Sequence, residues 1–142
     1  MKANVKTEGI GDISINIAKV DKKFAGQLQN LIDATAQRIR TDSIRSIQRS
    51  PAVGRQYPSG KQTHIASAAG NPPRTDTGEL VRMINSKVGQ LEAEVVSKAP
   101  YSSHLEFGTV NMRARPFLFP AFEREMVGFK RRLNDLVKGI SK

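Results

Sequence analysis

Phe24, Leu28, Leu31, Ile32, Thr35 and Ile39 follow one another at spacings of three and four. Side chains so spaced share one face of an α-helix, so residues 22–49 are expected to form a long amphipathic helix. Ile44 and Ile47 extend the stripe, Thr41-Asp42-Ser43 is a place where it could break, and Asp21 stands where an N-cap would. Pro51 forbids continuation, because proline has no amide proton to give and its ring collides with the preceding turn. The opposite face carries Arg38, Arg40, Arg45 and Arg49. Such a helix must lay its apolar face on a second layer.

Two other parts of the chain supply partners for it. Residues 116–140 read as a second long helix, with Leu118, Phe122, Phe129, Leu133, Leu136 and Ile140 as its stripe. Pro116 suits its first position, and Pro120 must then fall within the first turn. In the run Arg115-Pro-Phe-Leu-Phe-Pro-Ala-Phe, the residues Phe117, Phe119 and Phe122 cannot all share one helix face. Either Phe119 covers a strand edge while the others enter the core, or one Phe packs into a neighbouring subunit.

Strands come from alternation. Ile13, Ile15 and Ile17 alternate with Ser14 and Asn16, the pattern of a half-buried strand within residues 11–20. Residues 79–99 read as a hairpin, with Leu91, Ala93 and Val95 alternating against Glu92 and Glu94, a turn at Gly89-Gln90, and a start after Thr77-Gly78 open to a helical turn. Tyr101 to Phe107 suits one helical turn stopped by Gly108. The expected fold is α+β, a single domain over residues 1–142. In it a small, mainly antiparallel sheet is packed by two long helices.

Residues 50–78 differ in kind. Pro51, Pro58, Pro72 and Pro73 sit among Gly54, Gly60, Gly70 and Gly78, and apolar side chains are few. From Arg49 to Arg74 the cations Arg49, Arg55, Lys61 and Arg74 meet no acid. Structureless loops beyond about 12–15 residues are uncommon in compact domains. This stretch is therefore expected to be an extended basic arm, and its four cations are the candidates to face DNA or a partner.

The 142 residues carry a formal net charge of +10 and no cysteine. Disulfides and thiolate metal sites are thus excluded, and an acidic partner is favoured over a merely solvated surface. No apolar run approaches the length of a membrane span, and the first residues lack the apolar segment of a secretory signal. Gly54 to Lys61 superficially matches a phosphate-binding loop, but Gln62 replaces the required hydroxyl and Pro58 interrupts it. Ser102, Ser103, His104 and Glu106 combine nucleophile, base and carboxylate, yet sequence neighbours rarely reach triad geometry, and a capped turn is the simpler reading. His64 and His104 have no ligand-spaced partners. The chain is therefore expected to be neither an enzyme nor a metal or cofactor protein.

Two segments carry a family resemblance. Ala99-Pro-Tyr-Ser-Ser-His-Leu-Glu-Phe-Gly-Thr, followed by Met112-Arg-Ala-Arg-Pro-Phe-Leu-Phe-Pro-Ala-Phe-Glu, resembles the C-terminal signature of the tail-completion, or neck, family of long-tailed, lambdoid-type bacteriophages. Upstream, a proline-rich approach to Thr77-Gly-Glu-Leu80 is similar to that family's Thr-Gly-x-Leu element; Arg82-Met83 departs from the Arg-Ser pair expected after it. The matching positions are Thr77, Gly78, Leu80, Tyr101, Glu106, Phe107, Gly108, Thr109, Arg115, Pro116, Phe117 and Pro120. The resemblance covers residues 22–140 and implies a structural virion protein at the head–tail junction, assembled in the host cytoplasm. It implies a homo-oligomeric ring, six-fold by analogy with tail tubes, between head-side stopper or connector proteins and the tail terminator or tail tube. DNA would pass through its lumen. A tail terminator ring and a general basic nucleic-acid-binding protein are the alternatives. Glu106 is expected to pair with an arginine or accept backbone hydrogen bonds, and Gly108 to permit a turn closed to other residues.

Overall fold

A computed structural model describes residues 2–7, 11–16 and 22–140, with side chains over 22–139. The fold is α+β. In chain order the elements are β1 (Lys2–Thr7), β2 (Gly11–Asn16), α1 (Lys22–Gln48), β3 (Gln56–Ser59), β4 (Gln62–Ile65), α2 (Glu79–Arg82), β5 (Ile84–Gly89), β6 (Glu92–Ser97), α3 (Ser102–Phe107) and α4 (Phe119–Ile140). Four strands form one sheet in the order β2-β1-β6-β5, antiparallel except where β1 runs parallel to β6. A separate two-stranded sheet is made by β3 and β4.

The stripe read from the sequence becomes the core. Leu28, Ile32, Ile39 and Ile47 of α1 are fully buried, in one core with Leu91 just before β6, Ala93 and Val95 of β6, and Phe122, Met126 and Phe129 of α4. Thr41-Asp42-Ser43 does not break α1. Ser43 is buried and donates its hydroxyl to the Ile39 carbonyl, while Asp42 reaches across to Arg124 of α4. Such back-bonding lets a polar residue sit in a helix interior without an orphan hydroxyl. Ile17 and Asp21 lie outside the described residues; the described strand is Gly11–Asn16.

Three expectations need correction. The hairpin turn falls on Gln90-Leu91, since Gly89 pairs with Glu92, and Leu91 takes the left-handed φ of 53°. The reason is tertiary: Leu91 is buried, Gln29 of α1 accepts its amide proton, and the same side chain donates to the Gly89 carbonyl. The second helix starts at Phe119, so Pro116 precedes it and Pro120 is its second residue. The arm is not without structure, for it contains the β3–β4 hairpin, closed by Gly60-Lys61 with Gly60 at φ 60°. In a hairpin with a two-residue turn, the position of Pro58 points its backbone nitrogen away from the partner strand, so the missing proton breaks no rung.

Candidate partner-binding site at the base of the arm

Glu106 is the buried polar centre of the C-terminal motif. It sits on the last turn of α3 and is 9% exposed. Its Oε2 accepts the amide protons of Phe117 at 3.0 Å and Leu118 at 3.1 Å, and its Oε1 accepts that of Phe119 at 2.8 Å. These amides stand at the N-terminus of α4, where helix geometry leaves donors without partners and the helix dipole favours negative charge. Leu118 accepts the first helical bond, from Phe122. The carboxylate thus fixes where α4 begins, which is why the helix waits until Phe119. Of the two expected roles for Glu106, backbone acceptance is the one observed.

Gly108 ends α3 at φ 77° and ψ 179°, a region open in practice only to glycine. A Cβ there would lie 2.7 Å from the Met112 carbonyl oxygen and 2.8 Å from the Ala114 nitrogen. The chain then turns tightly, Thr109 and Met112 exchanging backbone bonds, before Arg115 donates its amide proton to the Leu105 carbonyl at 2.6 Å. Phe117 enters the core, Phe119 is 38% exposed and Phe107 is 63% exposed. The covered-edge reading of the three phenylalanines thus holds for Phe117 and Phe122 as core residues, while Phe119 remains partly open to solvent.

Upstream, Gly78 holds φ 77° just before α2, and Leu80 is buried. Thr77 offers its hydroxyl oxygen to the Glu79 amide at 3.4 Å. Tyr101 donates its hydroxyl to Glu79 Oε2 at 3.2 Å. Burial, and then the hydrogen bond to Glu79 and its negative charge, push the Tyr101 hydroxyl above its ordinary value. Thr77, Gly78, Leu80, Tyr101 and Arg115 line one cavity of about 340 Å³, so residues up to 38 positions apart are brought together. Phe117 belongs instead to the amides held by Glu106, which Pro116 and Pro120 flank in sequence.

The arm closes the other side of this cavity, which Tyr57, His64 and Arg74 also line. Asp76 is the anchor: Ser59 donates to its two oxygens at 2.7 and 2.8 Å, and His64 Nδ1 lies 3.5 Å away. One carboxylate therefore holds both strands of the hairpin. At the hairpin's foot Gly54 donates its amide proton to the Ala66 carbonyl, Ala66 donates to that of Arg55, and a Cβ on Gly54 would sit 2.2 Å from the Ser67 carbonyl oxygen. Ser50 donates to the Pro72 carbonyl, and Gly70 to that of Ala114, which ties the loop after β4 to the loop before α4. Arg49 follows α1, Arg55 stands at the hairpin's foot, Lys61 at its turn and Arg74 in the loop between β4 and α2; all four are exposed. Arg74 also donates to the Ile65 carbonyl.

Sequence reasoning gives Gly54, Ser59, His64 and Asp76 no part in the site. Gly54 was legible as an obligatory glycine only through a long-range contact, and the Asp76 anchor joins residues 12 and 17 positions away that share no motif. The side chains of the proposed nucleophile cluster go elsewhere: Ser102 donates to the Ala99 carbonyl, Glu106 is occupied by three amides, and His104 is exposed. No family model, curated protein or solved structure matches the chain.

Proposed function

We propose that this chain is a structural protein of the neck of a long-tailed bacteriophage, forming a ring that completes the tail and joins it to the DNA-filled head. The observation that supports the reading most is the division of labour at the arm's base. The residues of the family-like motif serve as scaffold: Glu106 sets the start of α4, Gly108 sets the turn, and Tyr101 and Arg115 border the cavity. From this platform projects a hairpin whose strand residues are exposed or half-exposed.

An isolated two-stranded hairpin is marginal in water, so a chain gains by covering one on a neighbour. Ring closure needs such head-to-tail contacts between unlike surfaces of identical subunits. The arm of one subunit would settle on the next, and ordering on assembly would keep free subunits from polymerising early. Phe107 and Phe119 supply exposed aromatic surface of the kind enriched in interface cores.

The test is native mass measurement of the protein alone and mixed with head-side connector and tail-tube proteins. A closed ring, hexameric by analogy with the tube, is the expected species. A chain that stays solitary in every mixture, or phage particles that join tails firmly without it, would overturn the reading. Tube length separates the terminator alternative, since a terminator caps length whereas a completion protein governs joining to heads.

A further inference from the structure

Residues 43–75 hold five cations, Arg45, Arg49, Arg55, Lys61 and Arg74, and neither Asp nor Glu. All five are exposed, and none forms an ion pair among the described residues. Arg38 is likewise exposed and unpaired in the same sense. Arg38 and Arg45 on α1, and Arg49, which follows its end and still donates its amide proton to the Arg45 carbonyl, are separated by seven and four residues. At 3.6 residues per turn and 1.5 Å rise they fall within an arc of about 40° and span about 16 Å of the helix axis. The one acid among residues 38–49 is Asp42, and its Oδ2 is held by Arg124 of α4 at 2.8 and 2.9 Å. Asp42 therefore answers Arg124, leaving the stripe uncompensated.

Such a stripe is unfavourable by itself. Arg45 and Arg49 are one turn apart, a like-charge spacing that weakens a helix. An external anion relieves that repulsion. Three features favour phosphate over an acidic protein surface. The stripe is all arginine, whose planar fork matches phosphate oxygens. The exposed Gln48, next to Arg49 in sequence, adds a neutral donor. The stripe itself carries no apolar anchor of the kind that dominates protein interfaces. Base stacking has little to work with: the one aromatic between Arg49 and Arg74 is Tyr57, tilted at 52° against His64. Contact would then be with the backbone of a duplex, without sequence preference.

We propose that the solvent face of α1 bearing Arg38 and Arg45, continued by Arg49 just beyond its end, binds the phosphate backbone of duplex DNA. For its setting this rests on the ring reading, in which it names the surface that meets the DNA. The binding itself is a property of the isolated chain and is tested there.

The experiment is fluorescence anisotropy with a random-sequence duplex of about two helical turns, titrated from low to physiological salt. The proteins are wild type, R38Q/R45Q/R49Q, and K130Q/R131Q/K138Q. The two variants lose the same charge, the second from α4, and exposed replacements should leave the melting temperature unchanged. Counterion release gives a slope of about 0.9 per phosphate neutralised. The stripe variant should therefore lose about 2.7 from the slope magnitude and about tenfold or more in low-salt affinity, and the α4 variant much less. Equal losses in both variants would assign the effect to net charge and overturn the proposal. So would a wild-type slope below about one. DNA binding unchanged in the stripe variant, with ring assembly lost, would make the stripe a protein interface and overturn it too. The ring reading fails separately, by the absence of assembly in native mass measurements even where DNA binding is intact.

Discussion

Replacing Glu106 with alanine removes the acceptor of three amide protons at once. Two of them, on Phe117 and Leu118, are in buried hydrogen bonds to the same oxygen, and the third, on Phe119, is part-buried. Hydrogen bonds to a charged group contribute about 1.5–3 kcal/mol each, and an orphaned buried donor costs about 1–3 kcal/mol. Water can reach the Phe119 amide more easily than the other two, so the whole loss should be about 3–5 kcal/mol rather than the full sum. That is a large share of the roughly 5–15 kcal/mol by which a domain is stable. At about 2–4 °C per kcal/mol for a chain somewhat larger than this one, the melting temperature should fall by about 10 °C or more. Glutamine is the informative second change. Its one remaining oxygen can serve the Phe117–Leu118 pair, but its amide then faces the Phe119 donor with a donor of its own, so E106Q should fall between wild type and E106A. Calorimetry measures the order, and hydrogen exchange at residues 117–119 locates it. An alanine variant within about 1 kcal/mol of wild type would refute the claim that this carboxylate sets the start of α4.

Gly108→Val should disrupt folding or ring formation, because the left-handed φ and the 2.7 Å approach of the Met112 oxygen both exclude a side chain; a soluble variant with wild-type melting would contradict this, while His104→Ala should change little. Gln29→Ala removes the clamp on the Gln90-Leu91 turn and should cost about 1–2 kcal/mol by urea unfolding, since it frees the Leu91 amide and the Gly89 carbonyl together; no loss would show that burial of Leu91 alone holds the turn. Asp76→Asn weakens the joint tie to Ser59 and His64, so exchange across residues 56–65 should quicken several-fold with the global melting temperature unchanged; hairpin amides as protected as those of α1 in the wild-type monomer would rule out an arm that orders on assembly. Tyr101 ionises above its ordinary value, so folding favours the protonated hydroxyl. Its contribution to stability is whole below about pH 10 and is lost as pH rises through the raised value. In Y57F, where Tyr101 is the remaining tyrosine, absorbance titration should show this, and Glu79→Gln should lower the midpoint; ionisation at the value of free tyrosine would count against the hydrogen bond.

The parts of the fold that the sequence made legible are those governed by local period. The stripe from Phe24 to Ile47 and the alternation Leu91-Ala93-Val95 each name their buried face, because burial follows directly from 3.6- and 2-residue repeats. The β3–β4 hairpin escaped this reasoning for the same cause. Gln56 to Ser59 and Gln62 to Ile65 bury no alternating face, so they carry no apolar rhythm. The turn lies one residue beyond Gly89-Gln90, because local turn chemistry favours glycine at a left-handed position, whereas the contact of Leu91 with Gln29, 62 residues away, decides the matter. Pro116 looked like a first helical residue on its own merits, but Glu106 claims the three amides that follow it. The site divides in the same way: Gly108 and Glu106 were legible as a turn and a backbone acceptor, while the Asp76 anchor is purely tertiary.

These differences in local stability bear on how such a chain could join others. Three charge-assisted bonds at Glu106 and an intolerant glycine at 108 hold the platform in one arrangement. The hairpin is tied to it by an exposed serine–carboxylate contact, a histidine at 3.5 Å and a few backbone bonds, which are worth little individually at a surface. Regions with few buried contacts open at a small fraction of the global free energy. An arm held this loosely can take the shape of a neighbour's surface at small cost, while the fixed platform preserves the angle at which it leaves the body. Closing a ring requires that angle to repeat from subunit to subunit, and fitting the arm into the next subunit requires local adjustment. A chain rigid throughout would transmit every small error around the circle, and one soft throughout would not define the circle at all.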